Sequence, residues 1–358
     1  MADFRSDTVT QPCTAMRQAM HDAALGDDVF NDDPTTLELQ RYAAELLGFE
    51  DALFAPSGTQ TNLIAMMSHC QRGDEAIVGQ QWHTYKWEAG GMAVLGSIQP
   101  QPLELQNDGT LALSDIAAAI KPDDPHFART RLIVIENTVG GKVLPLRYMR
   151  DVAALAREKG LKCHIDGARL MNAAVALAEE HQLSPKQMAR ELCQGYDSVS
   201  LCLSKGLGCP VGSLLLGSTE FIARAKRIRK MLGGGMRQTG VLTAAGLYAL
   251  KHNIDRLADD HQNARYLADG LVQLADSHGA LQSLKVIAPQ TNIVFTDMSP
   301  ALAEQLLPYL AEHGIKVTAS RYQTAQHSAM RLRWVCHLDI SRSQIEHTLA
   351  LVGEFTVK

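Results

Sequence analysis

The sequence predicts an α/β protein in which helices cover both faces of an open, mostly parallel sheet, followed by a smaller α+β domain. Short apolar runs recur that are rich in Val, Ile and Leu and are too short to form helices. Amphipathic stretches such as 145–159 and 168–180 lie between these runs. Beyond residue 280 the pattern changes to shorter segments of both kinds. The first alternation is typical of βαβ units, and the change marks a second domain.

The first part of the chain contains four runs that we interpret as central strands. Both faces of each run are apolar, as in parallel strands buried between two layers of helices. The runs are residues 76–79, 131–137, 161–166 and 197–204. Helical patterns dominate the following segment, 218–278.

The last part of the chain predicts a small mixed domain. Strand-like patterns lie at 285–298, 315–319 and 330–336, with helices near 300–313 and from about residue 341. We therefore expect a large domain over residues 1–250, including the N-terminal segment, and a small C-terminal domain over 251–358.

Composition restricts the classes of partner. The 358 residues are 46% hydrophobic and 20% charged, which is ordinary for a globular protein. The net charge of -5 argues against a general nucleic-acid binder, because phosphate binding needs a basic face. No apolar run approaches the roughly 20 residues of a membrane span. We expect a small-molecule partner, with neither nucleic acid nor membrane.

The N-terminus and the cysteines predict a cytoplasmic protein. The opening residues, MADFRSDTVTQP, carry charges and lack the apolar core of a signal peptide. The seven cysteines are scattered, without a CxxC pair or a Cys/His cluster of zinc-like spacing. We expect reduced and mostly buried cysteines, as in a reducing compartment.

Two charged residues close predicted strands, where ligands of open α/β sheets bind. Asp166 ends LKCHID and Lys205 follows DSVSLCLS. Taken singly, Asp166 could be the N-cap of a helix beginning near Ala168, and Lys205 could be a surface lysine in a glycine turn. Together they are what a pyridoxal-phosphate site requires: an amine that binds the cofactor and a carboxylate that keeps its ring nitrogen protonated.

Such a site also needs a phosphate cradle and a cover for the ring. Ser57, Gly58 and Thr59 open a helical pattern and could offer backbone N–H groups and hydroxyls to an anion. His83 follows the second predicted strand and could stack on the ring. A routine helix start and a structural histidine are the alternative interpretations.

Motifs of other enzyme classes are missing. The sequence contains no G-x-x-x-x-G-K-[ST] loop and no G-x-S-x-G elbow. GLGCPVG has no acidic partner about 20 residues later, as a dinucleotide site would require. The glycine-rich stretch at 233–240, GGGMRQTG, is interpreted as a loop that presents the cation of Arg237.

Motifs along the whole chain resemble the low-specificity L-threonine aldolases, which are fold type I pyridoxal-phosphate enzymes. The motifs include RSDTVT (5–10), SGTQTN (57–62), HTYKWEAGG (83–91), HIDGARL (164–170) and CLSKGLG (202–208). The resemblance implies an aspartate aminotransferase-like fold. It also implies cleavage of L-threonine, L-allo-threonine and related β-hydroxy-α-amino acids to glycine and an aldehyde such as acetaldehyde. The family assembles as a homotetramer, a dimer of dimers with shared active sites.

The resemblance implies a set of cofactor-binding residues. Lys205 would bind pyridoxal 5'-phosphate covalently, Asp166 would pair with the ring nitrogen and His83 would stack on the ring. The further cofactor contacts would be Ser57, Gly58, Thr59, Arg169 and Arg237. Arg237 would come from a neighbouring subunit.

The resemblance also implies substrate-binding residues. The substrate carboxylate would bind to Ser6, Arg169 and Arg333. Strand alternation places Arg331 on the same face as Arg333, so the choice between these two rests on the resemblance. His126 would lie near the substrate hydroxyl and close to His83, and either histidine is a candidate base.

Departures from the family pattern affect the expected pocket wall. Phe30 stands where Tyr is usual, and Trp87 where Phe or Tyr is common. Val139 and Gly140 replace a frequent His-Asn pair.

Two alternative functions would also use Lys205 to bind the cofactor. One is another fold type I enzyme, such as a β-eliminating lyase or aminotransferase, and the other is a non-catalytic carrier of the cofactor.

Overall fold

The computed structural model describes residues 1–323 and 328–356. The chain forms two units, a larger one of residues Pro12–Ile254 and a smaller one of Met1–Gln11 with Asp255–Lys358. The division lies close to the expected boundary between residues 250 and 251. The N-terminal residues, expected in the larger domain, belong instead to the smaller unit because β1 (Ala2–Asp3) pairs with β11 (Ile315–Lys316).

The strands follow one another along the chain in this order: β1, β2 (Asp51–Ala55), β3 (Asp74–Gly79), β4 (Gln99–Leu103), β5 (Arg129–Glu136), β6 (Lys162–Gly167), β7 (Ser198–Cys202), β8 (Ser213–Gly217), β9 (Lys285–Ile287), β10 (Ile293–Met298), β11, β12 (Thr318–Gln323) and β13 (Ser328–Val335).

The helices alternate with these strands: α1 (Thr14–His21), α2 (Pro34–Leu47), α3 (Gly58–His69), α4 (His83–Lys86), α5 (Gly91–Val94), α6 (Leu113–Ala119), α7 (Leu146–Glu158), α8 (Leu170–Ala178), α9 (Pro185–Cys193), α10 (Thr219–Met231), α11 (Gly240–His252), α12 (Leu257–Ser277), α13 (Pro300–Glu312) and α14 (Arg342–Glu354). Short 3-10 turns lie at Asp7–Val9 and Gly279–Leu281. Among the residues described, no helix has the length and apolar character needed to cross a bilayer.

The larger unit is built on a seven-stranded sheet of order β2-β8-β7-β6-β5-β3-β4. Strands β4, β3, β5, β6 and β7 pair in parallel, whereas β8 pairs antiparallel with both of its neighbours. The α/β prediction with a mostly parallel sheet is confirmed, and the four predicted central strands are β3, β5, β6 and β7. Residues Ser198–Cys202 of β7 are buried throughout, which explains its apolar character.

Helix α3 packs on one face of this sheet and buries apolar side chains in two separate clusters. Ile64 belongs to a buried cluster with Leu53 of β2 and Leu215 of β8. Met66 belongs to a second cluster with Val78 and Val134 of β3 and β5. This double burial fixes the helix across the sheet, with its N-terminus towards the carboxyl ends of the parallel strands.

The smaller unit is built on an antiparallel sheet of order β12-β13-β10-β9. Phe4 and Trp334 meet edge to face in its core, with ring centroids 5.7 Å apart. The Val335 N–H donates to the Phe4 carbonyl, so the N-terminal segment lies along β13. The antiparallel sheet with α13 and α14 agrees with the predicted α+β pattern.

Candidate active site

Asp166 is the penultimate residue of β6 and lies at the carboxyl edge of the larger sheet. The residue is only 2% exposed. Its Oδ1 accepts from the Ala168 N–H at 3.1 Å and its Oδ2 from the Asn62 Nδ2 at 2.9 Å. The N-cap of α8 is Arg169, so Asp166 does not have the capping role considered as an alternative. Its carboxylate instead faces α3.

A second carboxylate, Glu88, holds the candidate ring-stacking residue. The Glu88 Oε1 lies 2.9 Å from Nδ1 of His83 and 2.9 Å from Nδ2 of Asn62. The Glu88 side chain is 2% exposed, whereas that of His83 is 38% exposed. The imidazole therefore lies at the rim of the site and is fixed from behind.

The third carboxylate is Glu136, the last residue of β5. It is register-paired with Asp166 of β6 and accepts a hydrogen bond from the His83 backbone N–H. Burial, with the nearby Asp166 carboxylate, raises the pKa of Glu136 to about 8. Burial also raises the pKa of Glu88. The hydrogen bond that His83 donates to Glu88 raises the pKa of His83 above its ordinary value.

Lys205 follows β7 and lies beside the end of β6, the strand that carries Asp166. A small cavity is lined by Lys205 together with Gly167, Ala168 and Arg169. The register supports this proximity, because Gly167 of β6 pairs with Leu201 of β7. The Lys205 cation lowers the pKa of Glu136 electrostatically, although burial has the larger, opposite effect.

The predicted phosphate cradle forms the N-terminus of α3. Ser57 is the N-cap, and its side chain accepts from the Gln60 N–H at 3.2 Å. The space beside Gly58 is open, since a Cβ built there would meet no atom within 4 Å. The first N–H groups of a helix have no partner within it, so this opening is suited to an anion.

The glycine-rich loop of residue Arg237 approaches the same helix. Gly234 packs directly against the end of the Gln60 side chain, which would have to move to admit a Cβ at that position. The Arg237 Nη1 lies 3.2 Å from Oδ2 of Asp27, and the arginine side chain is 53% exposed. The loop therefore lies near the cradle of its own chain.

His126 lies away from these residues within one chain. It precedes β5, its Nδ1 is 2.7 Å from Oδ1 of Asp124, and its side chain is 86% exposed. Glu136 is at the other end of β5, and a strand of this length spans about 23 Å. The expectation that His126 lies close to His83 is therefore not met inside a single chain.

The smaller unit distinguishes the two arginines of β13. The Arg331 Nε and Nη2 both bind the Asp297 carboxylate at 2.7 Å. The Arg333 Nη2 instead donates to the Arg5 carbonyl at 2.9 Å. That carbonyl adjoins Ser6, whose Oγ accepts from the Thr8 N–H. Arg333 and the Ser6 segment thus lie together, while Arg331 is bound to its own strand partner.

Three residues of the site were missed in the sequence. Asn62 and Glu88 lie inside the family-like stretches SGTQTN and HTYKWEAGG, where they received no role. Glu136 had a readable signal, because it is the penultimate residue of the predicted strand 131–137, close to the end at which ligands bind. The position of Asn62, one turn into α3, becomes meaningful only once that helix is placed over β6.

The residues at this edge fit pyridoxal phosphate. Asp166 offers a buried carboxylate to a ring nitrogen, and Lys205 offers an amine on the neighbouring strand end. The opening at Gly58 offers helix N–H groups to a phosphate. With the strand order described above, they define a class: the protein has the fold of fold type I pyridoxal-phosphate enzymes.

Solved structures have the same fold. A threonine aldolase from Leishmania major matches with a TM-score of 0.81 at 19% identity, over 98% of both chains. A putative L-allo-threonine aldolase from Listeria monocytogenes matches with a TM-score of 0.77 at 20% identity, over 99% of this chain and 96% of that one. At such identities the likeness shows the fold.

Sequence comparisons define the family more narrowly. The model of the β-eliminating lyase family matches residues 3–301. The low specificity L-threonine aldolase of Escherichia coli (strain K12) is 49% identical over 350 residues, 98% of each chain. Low-specificity L-threonine aldolase 1 of Arabidopsis thaliana is 43% identical over 359 residues, 97% of this chain and 94% of the relative. The chain belongs to the low-specificity L-threonine aldolase family of lyases, which confirms the resemblance.

Proposed function

We propose that this protein cleaves the Cα–Cβ bond of L-threonine, L-allo-threonine and related β-hydroxy-α-amino acids, releasing glycine and an aldehyde such as acetaldehyde. The observation that carries the proposal is the meeting of Lys205, Asp166 and His83 at one edge of the sheet, in a chain of this family. Pyridoxal 5'-phosphate is the proposed cofactor. When bound, it supplies a protonated ring that takes up the electron pair left at the substrate Cα.

The proposed contacts to the cofactor come from separate elements of the larger unit. Lys205 holds it covalently, Asp166 pairs with its ring nitrogen and His83 covers the ring. The phosphate binds to Ser57, Gly58 and Thr59, with Arg169 and Arg237 as further cofactor contacts. Burial of Asp166 supports this role, because a charge in a dry site interacts more strongly with its partner.

His83 is the proposed base for the β-hydroxyl proton. Its Nδ1 is bonded to Glu88, so Nε2 is the atom that exchanges a proton with the substrate. The hydrogen bond to Glu88 raises the pKa of His83 above its ordinary value, which makes the imidazole a stronger base. Glu88 stabilises the imidazolium after the proton has been taken up.

Arg333 is the proposed carboxylate ligand of the smaller unit, together with Ser6. The bidentate pairing of Arg331 with Asp297 favours this choice, because Arg331 is already bound to a carboxylate of the protein. Arg169 is the proposed carboxylate ligand of the larger unit. An arginine fork holds a carboxylate in one plane and so orients the bond to be broken.

The active site is proposed to be shared between copies of the chain in a homotetramer. His126 is exposed and distant from the site of its own chain, so it would serve a neighbouring one. Large apolar side chains are also exposed in the larger unit, as expected of a surface that another copy covers. They are Phe30, Trp87, Val94, Leu95 and Met231. Arg237 differs from His126 in that its loop lies near the cradle of its own chain, but its side chain is 53% exposed and is proposed to reach the phosphate of an adjacent chain.

Complementation tests the shared site. Mixed chains of Lys205→Ala and His126→Ala should regain part of the activity that each variant lacks alone. No regain after unfolding and joint refolding would contradict the sharing of His126.

A cytoplasmic location is proposed from the state of the cysteines. All seven are unpaired, and only Cys13 is not buried. Free buried thiols are typical of proteins of a reducing compartment.

A product assay with the purified protein tests the activity. L-threonine and L-allo-threonine should each give glycine and acetaldehyde in equal amounts, and the protein should absorb visible light. Ammonia and a keto acid would instead indicate β-elimination, the reaction named in the wider family's description. Cofactor binding without any product would indicate a carrier.

A further inference from the structure

Two buried carboxylates of the site share one hydrogen-bond donor. The Asn62 Nδ2 lies 2.9 Å from Oδ2 of Asp166 and 2.9 Å from Oε1 of Glu88. An amide NH₂ has two hydrogens, and both are used here. Asn62 is itself 2% exposed, so water does not compete for these bonds. The amide therefore bridges the proposed partner of the ring nitrogen and the residue behind His83.

The orientation of this amide is determined by its other end. The Asn62 Oδ1 lies 3.3 Å from Nε2 of His164, which is also 3.5 Å from Oγ of Ser200. A flipped amide would direct its oxygen at two carboxylates, which accept hydrogen bonds, so the amide nitrogen faces the carboxylates and the oxygen faces the imidazole. Only the present orientation satisfies every group, so His164 donates to the Asn62 oxygen.

The chain of donors continues away from the site. The His164 Nδ1 lies 2.8 Å from Oγ of Ser198, and Nε2 of His69 lies 2.7 Å from the same oxygen. Burial lowers the pKa of both histidines to about 3, so both rings are neutral. With Nε2 protonated on each ring, every donor points towards the carboxylates: His69 to Ser198, Ser198 to His164, and His164 to Asn62. Aligned bonds of this kind strengthen one another.

We propose that Asn62 is a positioning residue that joins Asp166 and the His83–Glu88 pair into one unit, with its amide held in place by the chain of His164, Ser198 and His69. The proposal rests on the proposed function for the place of the cofactor at Asp166. Two hydrogen bonds from one neutral donor favour the ionised form of both carboxylates in a buried site. They also fix the distance between the carboxylate under the ring and the imidazole at its rim.

Other titratable groups lie near these carboxylates and must be considered in any titration. They are Glu136 from β5, His164 from β6, Lys205 after β7, and His83 at the start of α4. Glu136 disfavours a further negative charge, whereas Lys205 favours one. The Asn62 amide adds no charge, so its removal changes the hydrogen bonding while this balance of charges is kept.

The first test replaces Asn62 with leucine, which has a similar shape but no donor. Asp166 then has a higher proton affinity, so the ring nitrogen would keep its proton less firmly and the bound cofactor would withdraw less electron density from its bond to Lys205. The pH midpoint of the visible spectrum of the bound cofactor should rise by at least about one pH unit. The turnover number should fall at least about tenfold, with KM changed much less.

A second readout uses the protein without cofactor. Glu88 loses a donor in Asn62→Leu, so its ionised form, which is the partner of the imidazolium, is less favoured. The pKa of His83, measured by NMR with labelled histidine and assigned with His83→Asn, should fall relative to wild type. Ser68→Ala is the matched control, since its hydroxyl is buried on α3 but donates to the Ile64 carbonyl. Both readouts should be unchanged in this control.

The hydrogen-bond chain of His164, Ser198 and His69 is tested by variants that leave Asn62 unchanged. His164→Gln keeps an N–H that can donate to the Asn62 oxygen and should retain the wild-type spectral midpoint, whereas His164→Leu should shift it upwards. Combined with Asn62→Leu, the His164→Leu change should add nothing, because the two residues act in series. If Asn62→Leu does not fold, the comparison of His164→Gln with His164→Leu still tests the role of the Asn62 amide.

The outcomes separate this inference from the proposed function. An unchanged spectral midpoint and an unchanged His83 pKa in Asn62→Leu would overturn the role of Asn62, whatever the enzyme cleaves. Equal spectral midpoints in His164→Gln and His164→Leu would overturn the role of the hydrogen-bond chain behind Asn62. Failure of the wild type to cleave L-threonine would reject the proposed function, and the NMR measurement would still decide the role of Asn62.

Discussion

The two edges of the larger sheet carry acidic residues in very different surroundings. At the amino ends of the strands, Asp74 is paired with Arg129 at 3.2 Å and Asp197 with Lys162 at 2.7 Å. At the carboxyl ends, Asp166 and Glu88 are held by the neutral amide of Asn62. The same strands thus end in compensated charges on one side and in concentrated negative charge on the other.

The difference shows where the fold leaves charge for a ligand. The basic partners at the amino edge are more than half exposed, with Arg129 at 55% and Lys162 at 58%, so these pairs contribute little to stability. The carboxylates at the other edge are buried, and their charge becomes favourable when a cationic ring is bound. Buried acids gathered at a strand end are therefore a mark of function rather than of stability.

The largest expected effect compares one lysine from each edge. Lys205→Ala should lose covalent cofactor and at least about a thousandfold in turnover, because no other amine replaces it. Lys162→Ala, which removes only a surface pair, should keep full activity and lose at most about 1 kcal/mol of stability. Visible spectra, turnover and urea unfolding of both variants measure this. Normal turnover in Lys205→Ala would show that Lys205 is not the amine that binds the cofactor.

The second effect extends the same contrast to β13 of the smaller unit. Arg333→Ala should lower kcat/KM roughly 150-fold, a loss of about 3 kcal/mol in transition-state stabilisation, because the substrate carboxylate is no longer bound and oriented. Cofactor absorption should stay the same. Arg331→Ala should instead lower stability, because it leaves the Asp297 carboxylate without its arginine partner. Steady-state kinetics and thermal unfolding distinguish the two, and a greater kinetic loss at Arg331 would reverse the assignment.

The third prediction concerns the pH dependence of activity. Glu88 raises the pKa of His83, and the proposed base is active when neutral, so kcat/KM falls as the pH drops through that raised pKa. Glu88→Gln removes the negative partner, and the acidic limb of the profile should move to lower pH. A limb at the wild-type position would show that His83 is not the titrating base. Profiles from pH 5 to 9 measure this.

A smaller effect should appear in the stability of the protein without cofactor. Glu136 has an ordinary pKa of 4.5 and a folded pKa of about 8, so between these values the native state binds more protons than the unfolded state. Stability therefore falls as the pH rises through this window. Glu136→Gln should flatten the fall, as melting temperatures at pH 5 and pH 8 would show. An equal slope in both proteins would place the ionised form in the native state.

The smallest effect concerns the departure at Phe30, which is 75% exposed in one chain. Lacking the hydroxyl of the usual Tyr, it should make the substrate pocket less polar and favour bulky β-substituents such as that of phenylserine. Phe30→Tyr should raise the ratio of kcat/KM for threonine to that for phenylserine by a few-fold. An unchanged ratio would contradict a role for this residue in the pocket.

The parts of the site that lie at strand ends could be predicted from the sequence. Asp166 and Lys205 follow long buried strands whose parallel pairing brings their ends together, and β6 and β7 are indeed neighbours. The resemblance supplied roles for residues such as His83 and Arg333 that spacing alone leaves open.

Tertiary placement decided the rest. The role of Asn62 depends on how α3 lies over β6, and that of Glu88 on the turn after α4; neither is set by local sequence. A motif match names His126 but not the chain it serves, so its position at the opposite edge could not be foreseen. The N-terminal segment was grouped by sequence order, whereas β1 finds its hydrogen-bond partner more than 300 residues later, at β11.

Helix α3 also acts as a ruler. Its first turn offers the phosphate cradle and its second offers Asn62, which touches the partner of the ring nitrogen. Five residues separate Ser57 from Asn62, a rise of about 7.5 Å along one rigid rod. One inserted residue would turn Asn62 by about 100° away from the sheet while the cradle stayed in place. If the cofactor binds as proposed, the rise of this one helix sets the distance between its phosphate site and the partner of its ring nitrogen, so a change in helix length would alter that distance.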